Sequence, residues 1–156
     1  MIRPYVSADA ERLLAIFRKN VPVAFAEAEI DEYASFLSKN DDPYLVAEYK
    51  GQVAGACGYY LIQESSVARI CWILADPDGR GSGVGSTLLR HVLGQILTHP
   101  DVMLIECQTS QVAHRFFGKF GFVLHYTEPD HWAPGLDLYF MTLDPKDLAG
   151  FETCKV

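Results

Sequence analysis

The first forty residues combine a short apolar run with two stretches of helical spacing. Residues 2 to 6 have the composition of a short strand. Residues 9 to 20 predict a helix that ends before Pro22, because apolar side chains recur there three and four positions apart. Those side chains are Leu13, Leu14, Ile16 and Phe17. A second helix is predicted over about 27 to 39.

From residue 43 onward the pattern becomes typical of strands. The stretch PYLVAEYKGQVAGACGYYLI holds two β-rich runs around KGQ, which is a turn sequence that favours an antiparallel hairpin. Residues 67 to 75 predict a further strand. This part of the chain is therefore expected to form an antiparallel meander.

Helical spacing returns after residue 83. Apolar residues spaced by four, one, three, one, three and one positions mark one face of a helix: Val84, Leu88, Leu89, Val92, Leu93, Ile96 and Leu97. The stretch VMLIEC at 102 to 107 is too short and β-branched for a helix. Because it follows a strand and a helix, we expect a strand that runs parallel to residues 67 to 75.

Residues 110 to 143 complete the fold prediction. A helix is expected at about 110 to 119, and strands are expected at about 121 to 128 and 136 to 143. A length of 156 residues with 49% apolar content suits one domain spanning residues 1–156. The predicted class is α/β (α+β): a mixed, mostly antiparallel sheet with a central parallel βαβ unit, flanked by helices.

Composition narrows the classes of partner and compartment. A formal net charge of -7 argues against a nucleic-acid surface and favours a cationic small substrate. The four cysteines form no CxxC pair, and three lie in apolar strand-like runs, so buried thiols in a reducing compartment are expected. With no signal-peptide core and no apolar run of about 18 residues, we expect a soluble cytoplasmic protein without a membrane partner. A homodimer is left open.

The segment DPDGRGSGVGSTLL at 76 to 89 clusters glycines between a predicted strand and a predicted helix. Glycine costs roughly 0.5 to 1 kcal/mol relative to alanine in an ordered element, so the cluster indicates either a flexible turn or a closely approached backbone. At a helix start, the N–H groups around Gly81, Gly83 and Gly85 suit a phosphate. Arg80 adds a cation that matches phosphate oxygens. Further donors are the hydroxyls of Ser82, Ser86 and Thr87.

Three phosphate-binding patterns compete for this segment. The nucleoside-triphosphate pattern GxxxxGK[ST] is excluded because no lysine follows these glycines. The dinucleotide pattern GxGxxG fits Gly81 and Gly83, and Glu106 lies where a ribose-binding acid would follow, but Ser86 replaces the third glycine. The preceding hairpin and the lack of further βα repeats also argue against a doubly wound fold.

The third pattern is Arg-Gly-x-Gly-x-Gly after a strand that ends in ILADP. It resembles the acyl-CoA pyrophosphate loop of the GNAT superfamily of N-acyltransferases. The segment AHRFFGKFGF at 113 to 122 resembles that superfamily's second signature, in which an aromatic pair on a helix precedes an aromatic-Gly-Phe turn. The motifs occur in the family's order, and the predicted elements from residue 2 to 143 follow it as well.

The resemblance implies acetyl-CoA as cosubstrate, bound without a metal in a cleft where the strands at 67 to 75 and 102 to 107 separate. The pantetheine arm is expected along the backbone of Ile73, Leu74 and Ala75. The pyrophosphate is expected beside Arg80 on the N–H groups of Gly81, Ser82, Gly83, Val84, Gly85 and Ser86. Ser110 stands where relatives often carry a CoA-contacting asparagine, and a helix N-cap is its competing role.

Direct transfer to an amine requires a base, a donor to the thioester oxygen and a proton for the departing thiolate. Glu106, at the open end of its strand, is the expected base, and a hydrogen-bonded strand-end glutamate is the competing interpretation. Asp130 and His131 are the other candidates, in a loop that can close over the cleft.

The acid is where this sequence departs from the family. Phe117 stands where many relatives carry a tyrosine whose hydroxyl approaches the sulfur of CoA, and phenylalanine cannot donate a proton. Tyr126, Tyr139 or a water would have to replace it, or the thiolate leaves unaided. The preferred function is an N-acetyltransferase acting on a primary amine of a small molecule or amino-acid-like acceptor. The alternative is a noncatalytic acyl-CoA-binding module.

Two segments are expected to form the acceptor site. In the segment at 21 to 33, Phe25 and Glu29 are expected to line it. Near the last strand, Trp132 is expected to cover the amine, with Asp130 or Asp137 attracting its charge. Ordinary loop packing around a buried tryptophan is the competing interpretation.

Overall fold

The computed structural model describes residues 1–148, which form one seven-stranded sheet with helices on both faces. Along the chain the elements are β1 (Ile2–Pro4), α1 (Ala10–Lys19), α2 (Glu29–Lys39), β2 (Tyr44–Tyr49), β3 (Gln52–Leu61), β4 (Val67–Ala75), α3 (Val84–Ile96), β5 (Leu104–Thr109), α4 (His114–Gly118), β6 (Val123–Ala133) and β7 (Leu136–Leu143). The strand order is β1-β2-β3-β4-β5-β7-β6. Within this range no helix has the length and apolarity to cross a membrane.

The mixed sheet predicted from the sequence is confirmed. β4 and β5 are parallel and are joined by α3, whereas every other pair of neighbouring strands in residues 1–148 is antiparallel. Several predicted boundaries are wrong. β5 begins at Leu104 rather than 102, and α4 begins at His114 because Ser110 first holds a turn by accepting the Val112 N–H at 3.2 Å.

The predicted loop around residue 130 is also wrong. β6 continues to Ala133, since Ala133 still pairs with Leu136 beyond an irregularity after Glu128. Asp130 and His131 therefore lie in the edge strand of the sheet rather than in a loop that closes over a cleft.

Two apolar clusters cover the two faces of the sheet. Side chains of α3 and α4 pack on one face, and α1 and α2 pack on the other. Cys57 and Cys107 are buried free thiols, as predicted, while Cys71 is half-buried. Cys154 lies outside the described residues. Burial raises the pKa of the Cys71 thiol to about 12, so this thiol stays protonated at neutral pH.

The parallel pair of strands is short, and its length creates the opening in the sheet. β4 pairs with β5 only from Val67 to Arg69. Beyond Arg69, the described residues provide no strand partner for β4 on its β5 side, although β3 still pairs with it on the other. The register on that other side shifts between Cys71 and Leu74, where β4 has two residues against Cys57 alone. A β-bulge bends its strand, and this one lies shortly after the last β4 residue that pairs with β5.

Candidate functional site

A cavity of about 730 Å³ lies where β4 and β5 separate. Its walls come from the open edge of β4, the glycine-rich turn before α3, the end of β5, α4 and the start of α2. Most of the residues that the sequence assigns to a cofactor line this cavity: Ile73, Leu74, Ala75, Arg80, Gly81, Ser82, Gly83, Val84, Gly85, Ser86 and Ser110. The cleft between the two parallel strands is therefore present where it was expected.

The glycine-rich turn leaves its backbone uncovered. Gly81 and Gly83 have φ values of +83° and +77°, a region that side-chain-bearing residues rarely adopt. A Cβ added at either position would meet no atom within 4 Å, so a ligand has free access to the main chain. Gly83 is also the N-cap of α3, whose first-turn N–H groups have no partner within the helix. These N–H groups form an anion site at the positive end of the helix dipole.

Not every N–H group of the turn is available to a ligand. The Ser82 N–H donates to the Gly79 carbonyl at 3.1 Å, which closes the turn. The sequence predicts that every N–H group from Gly81 to Ser86 is available to the pyrophosphate. This prediction is wrong for the Ser82 N–H, although Ser82 itself lines the cavity.

Ion pairs fasten this turn to the first helix. Asp76 lies 2.8 Å from Arg12 and 3.2 Å from Lys19, and Lys19 also reaches Asp78 at 2.8 Å. Asp76 further accepts the Asp78 N–H at 3.0 Å. Arg80, by contrast, is exposed and forms no ion pair within residues 1–148. The turn is thus held in place by other charges, and the Arg80 guanidinium is available to a bound anion.

Another part of the cavity wall is aromatic and acidic. Phe25 lines it and stacks on Phe17 with ring centroids 4.3 Å apart. Trp132 lines it from β6, fixed by a 3.1 Å hydrogen bond from its indole N–H to the Thr109 carbonyl. Glu29 and Glu32, on the first turn of α2, bring two carboxylates to the same wall. This part of the cavity wall therefore suits a cationic group beside apolar surface.

Glu29 is the buried carboxylate of the cavity wall. Glu29 is 7% exposed, and one oxygen of its carboxylate accepts the Ala26 N–H at 3.3 Å. Burial raises the pKa of Glu29 to about 6, and the charge of Glu32 acts in the same direction. A carboxylate with such a pKa accepts protons readily at neutral pH, which is the property of a general base.

Glu106 is buried to the same extent but is paired. Its carboxylate forms an ion pair with Arg69 across the parallel strands, and Arg69 also donates to the Tyr60 hydroxyl at 2.7 Å. Arg69 and Tyr60 line the cavity, whereas Glu106 does not. The geometry thus favours the competing interpretation of Glu106 as a hydrogen-bonded strand glutamate.

Six other residues assigned from the sequence do not line the cavity: Thr87, Tyr126, Asp130, His131, Asp137 and Tyr139. Tyr126 is 49% exposed and stacks on Phe140, and His131 bonds to Glu128 at 3.0 Å. Asp130 and Asp137 hold the connection between β6 and β7. Asp137 accepts the Asp130 N–H at 2.8 Å, and Asp130 accepts the Gly135 N–H at 2.7 Å. Both carboxylates therefore stabilise this connection by accepting backbone N–H groups.

Phe117 lines the cavity from α4 and is 1% exposed. Its ring meets Phe116 and Phe122 edge to face, at 5.3 and 5.5 Å between centroids. Apolar packing therefore fixes the phenyl ring of Phe117, which has no hydroxyl that could donate a proton.

Sequence reasoning missed several residues of the cavity wall. Tyr60, Arg69 and Trp72 belong to strands whose register became known only from the structure. Glu32 could have been found, because it lies three residues after Glu29 on a predicted helix and so shares its face.

Comparison with known proteins adds to this geometry. A family model described as acetyltransferase (GNAT) family matches residues 9–122. The ribosomal-protein-alanine N-acetyltransferase of Brucella melitensis has a TM-score of 0.74 at 22% identity, over 92% of this chain and 99% of that one. An N-acetyltransferase of Staphylococcus aureus Mu50 gives 0.74 at 22%, over 93% and 98%. The yncA protein of Salmonella typhimurium, solved with its cofactor acetyl-CoA, gives 0.74 at 18%, over 93% of both chains. No curated protein sequence matches.

Proposed function

The chain belongs to the acetyltransferase (GNAT) family, and we propose that it transfers the acetyl group of acetyl-CoA directly to the primary amine of a small, amino-acid-like acceptor. The observation that carries this proposal is the single cavity that joins an uncovered glycine turn to an acidic, aromatic end. One end fits the anionic cosubstrate, and the other fits a cationic amine.

The geometry of the glycine-rich turn fits the pyrophosphate of acetyl-CoA. The first-turn N–H groups of α3 and the Arg80 guanidinium, which has no ion pair within residues 1–148, would hold the pyrophosphate in the free space over Gly81 and Gly83. The open edge of β4 from Ile73 to Ala75 would hold the pantetheine arm, as an added strand pairs with a sheet edge. Acetyl-CoA supplies the activated acetyl group.

At the acceptor end we assign the base to Glu29. It lines the cavity, it is buried, and its raised pKa suits removal of a proton from a bound ammonium. Glu106, the base expected from the sequence, is the alternative. Phe25 and Trp132 would pack against the acceptor, and Glu32 would add to the attraction of its charge.

The proton for the thiolate needs a source other than Phe117. Tyr126 and Tyr139 do not line the cavity, whereas Tyr60 does. The Tyr60 hydroxyl accepts a hydrogen bond from Arg69 and so keeps its own proton free to donate. We therefore assign Tyr60 as the donor in place of Tyr126.

We also propose a cytoplasmic location and a single domain. The location is supported by the free thiols of Cys57, Cys71 and Cys107, which is the usage typical of a reducing compartment. The domain is supported by the one sheet that the described residues share.

The competing function is a noncatalytic acyl-CoA-binding module, and the buried phenyl ring of Phe117 favours it. Release of free thiol from acetyl-CoA, measured against a panel of amines, amino acids and short peptides, separates the two. We expect turnover with at least one amine. We also expect acetyl-CoA to raise the melting temperature, since a ligand of the native state stabilises it, while NAD and ATP do not.

The outcomes are distinct. Tight acetyl-CoA binding without turnover in the wild type, together with activity in Phe117→Tyr, would establish the binding module. A shift with NAD as large as that with acetyl-CoA would contradict the acyl-CoA site itself.

A further inference from the structure

The β4 bulge contains a backbone conformation that requires support. Trp72 has a φ of +43°, in the left-handed region that an aromatic residue rarely adopts. It lies in the two-residue insertion opposite Cys57, on the wall of the cavity. Such a conformation persists only where surrounding contacts fix it, and it is often found at functional sites.

A buried tyrosine provides that contact. The Tyr44 hydroxyl, on β2, donates to the Trp72 carbonyl at 2.7 Å. Its oxygen lies 2.8 Å from the Tyr33 hydroxyl on α2. A phenol has one proton, and Tyr44 uses it toward the carbonyl, so Tyr33 is the donor in the second bond. Of the two hydroxyls, only that of Tyr44 therefore bonds to the bulge, while the Tyr33 ring packs against the Trp72 ring with centroids 5.3 Å apart.

Tyr44 reaches β4 across the intervening strand because of a glycine. A Cβ added to Gly58 of β3 would lie 2.5 Å from Cδ1 of Tyr44. The tyrosine ring thus passes over β3 at Gly58 and approaches β4 from its β3 side. The Trp72 carbonyl consequently points toward β3, away from the opening between β4 and β5.

The direction of this carbonyl fixes the direction of the next N–H. The Trp72 carbonyl and the Ile73 N–H belong to one planar trans peptide, in which the C=O and N–H bonds point in opposite directions. With the carbonyl held on the β3 side, the Ile73 N–H points to the β5 side, where the cavity lies and where Ile73 lines it.

We propose that Tyr44 is a positioning residue for the acetyl transfer: by holding the Trp72 carbonyl, it aims the Ile73 N–H into the cavity, where this N–H donates to the thioester oxygen. The inference rests on the proposed function for its chemistry. As the amine attacks the carbonyl carbon, negative charge develops on the thioester oxygen, and a preorganised N–H donor stabilises that charge. Tyr44 itself exchanges no proton with a substrate.

The tyrosine is suited to a permanent structural bond. It is buried, and burial raises its pKa well above that of an ordinary tyrosine, as it also does for Tyr33. Both hydroxyls therefore keep their protons over the whole working pH range.

The direct test is the amide resonance of Ile73 in the ¹⁵N-labelled chain, compared between CoA and acetyl-CoA. The two ligands share every group except the acetyl. We expect the Ile73 proton to lie further downfield with acetyl-CoA, because only that ligand has a thioester oxygen to accept its hydrogen bond. Identical Ile73 positions with the two ligands would overturn the inference.

Two matched variants assign the effect to Tyr44. Tyr44→Phe keeps the ring but removes the bond to Trp72. Tyr33→Phe removes an equally buried hydroxyl and leaves that bond in place. We expect the Ile73 difference to shrink in Tyr44→Phe and to persist in Tyr33→Phe. For turnover, a displaced donor in Tyr44→Phe should lower kcat roughly 10- to 100-fold with the KM for acetyl-CoA within about twofold.

The remaining outcomes separate this inference from the proposed function. A wild type that turns over no amine but shows the Ile73 difference supports the inference and contradicts the proposed function. An Ile73 difference that persists in Tyr44→Phe, or an equal loss of kcat in both variants, overturns the role of Tyr44.

Discussion

At the scale of single residues, two glutamates with the same burial differ in their partners. Glu29 and Glu106 are each 7% exposed. Glu106 forms an ion pair with the guanidinium of Arg69. Glu29 accepts the Ala26 N–H, and its burial favours the protonated form. The environment of Glu29 is therefore the one that makes a carboxylate basic.

We therefore expect Glu29→Gln to lower kcat/KM by roughly 10²- to 10⁴-fold, the usual contribution of a general base. In the wild type, kcat/KM should rise with pH through about 6 as Glu29 loses its proton. This rise should be absent in Glu29→Gln. Steady-state thiol release measured from pH 5 to pH 8, with the best amine found, gives both results.

Glu106→Gln is the matched control, because it changes a carboxylate of equal burial that does not line the cavity. It should keep the inflection near pH 6, even if the unpaired Arg69 lowers stability. An inflection that disappears in Glu106→Gln and survives in Glu29→Gln would assign the base to Glu106, as the sequence alone suggests.

At the scale of elements, the turn before α3 has two separable properties: its strained backbone and its open face. Gly83→Val should abolish measurable acetyl-CoA binding, because the branched side chain would fill the space in which the pyrophosphate is expected. It should also cost roughly 1 to 2 kcal/mol of stability, since φ at this position is +77°. Calorimetric titration and urea unfolding measure the two effects.

Gly51→Val controls for the strain. Gly51 has a φ of +78°, also meets no atom within 4 Å at an added Cβ, and lies in the turn between β2 and β3, away from the cavity. It should lose similar stability and keep its affinity for acetyl-CoA. Unchanged affinity in Gly83→Val would show that the turn serves the fold alone.

The same elements show what a sequence reveals. The glycine turn and α3 are specified locally, by the order of strand, glycines and helical spacing, and both lie where they were predicted. The β4 bulge was not predicted, because a continuous apolar run from Ile70 to Leu74 carries no sign of an extra residue. The pair of Arg69 and Glu106 depends on strand register, which residues 37 positions apart do not reveal. The catalytic positions were therefore the least predictable, since none of Glu106, Tyr126 and His131 lines the cavity.

At the scale of the whole molecule, the site exists because one short parallel pair interrupts an antiparallel sheet. Antiparallel neighbours on both sides hold β4 and β5, but β4 and β5 pair over only three residues each before they separate. The opening places the start of α3 beside an unpaired strand edge, so one topological feature provides both the anion site and the extended groove.

A buried base should lower the stability of the whole fold at neutral pH. The folded pKa of Glu29 is about 6, against an ordinary value of 4.5, so the folded protein binds this proton more tightly than the unfolded chain. The cost is absent below pH 4.5, grows as the pH rises toward 6, and is constant above that. At 1.36 kcal/mol per pKa unit, it is about 2 kcal/mol.

Glu29→Gln should remove this cost, since the amide oxygen can still accept the Ala26 N–H without carrying charge. Urea unfolding should show about 1 to 2 kcal/mol more stability than the wild type at pH 8 and little difference at pH 4.5. Glu32→Gln, at an exposed position one turn along α2, should keep most of this pH dependence, because burial is the largest cause of the raised Glu29 pKa and the Glu32 charge is a smaller one. Parallel stability curves for Glu29→Gln and the wild type would show that Glu29 is ionised without cost, and would remove the physical reason for choosing it as the base.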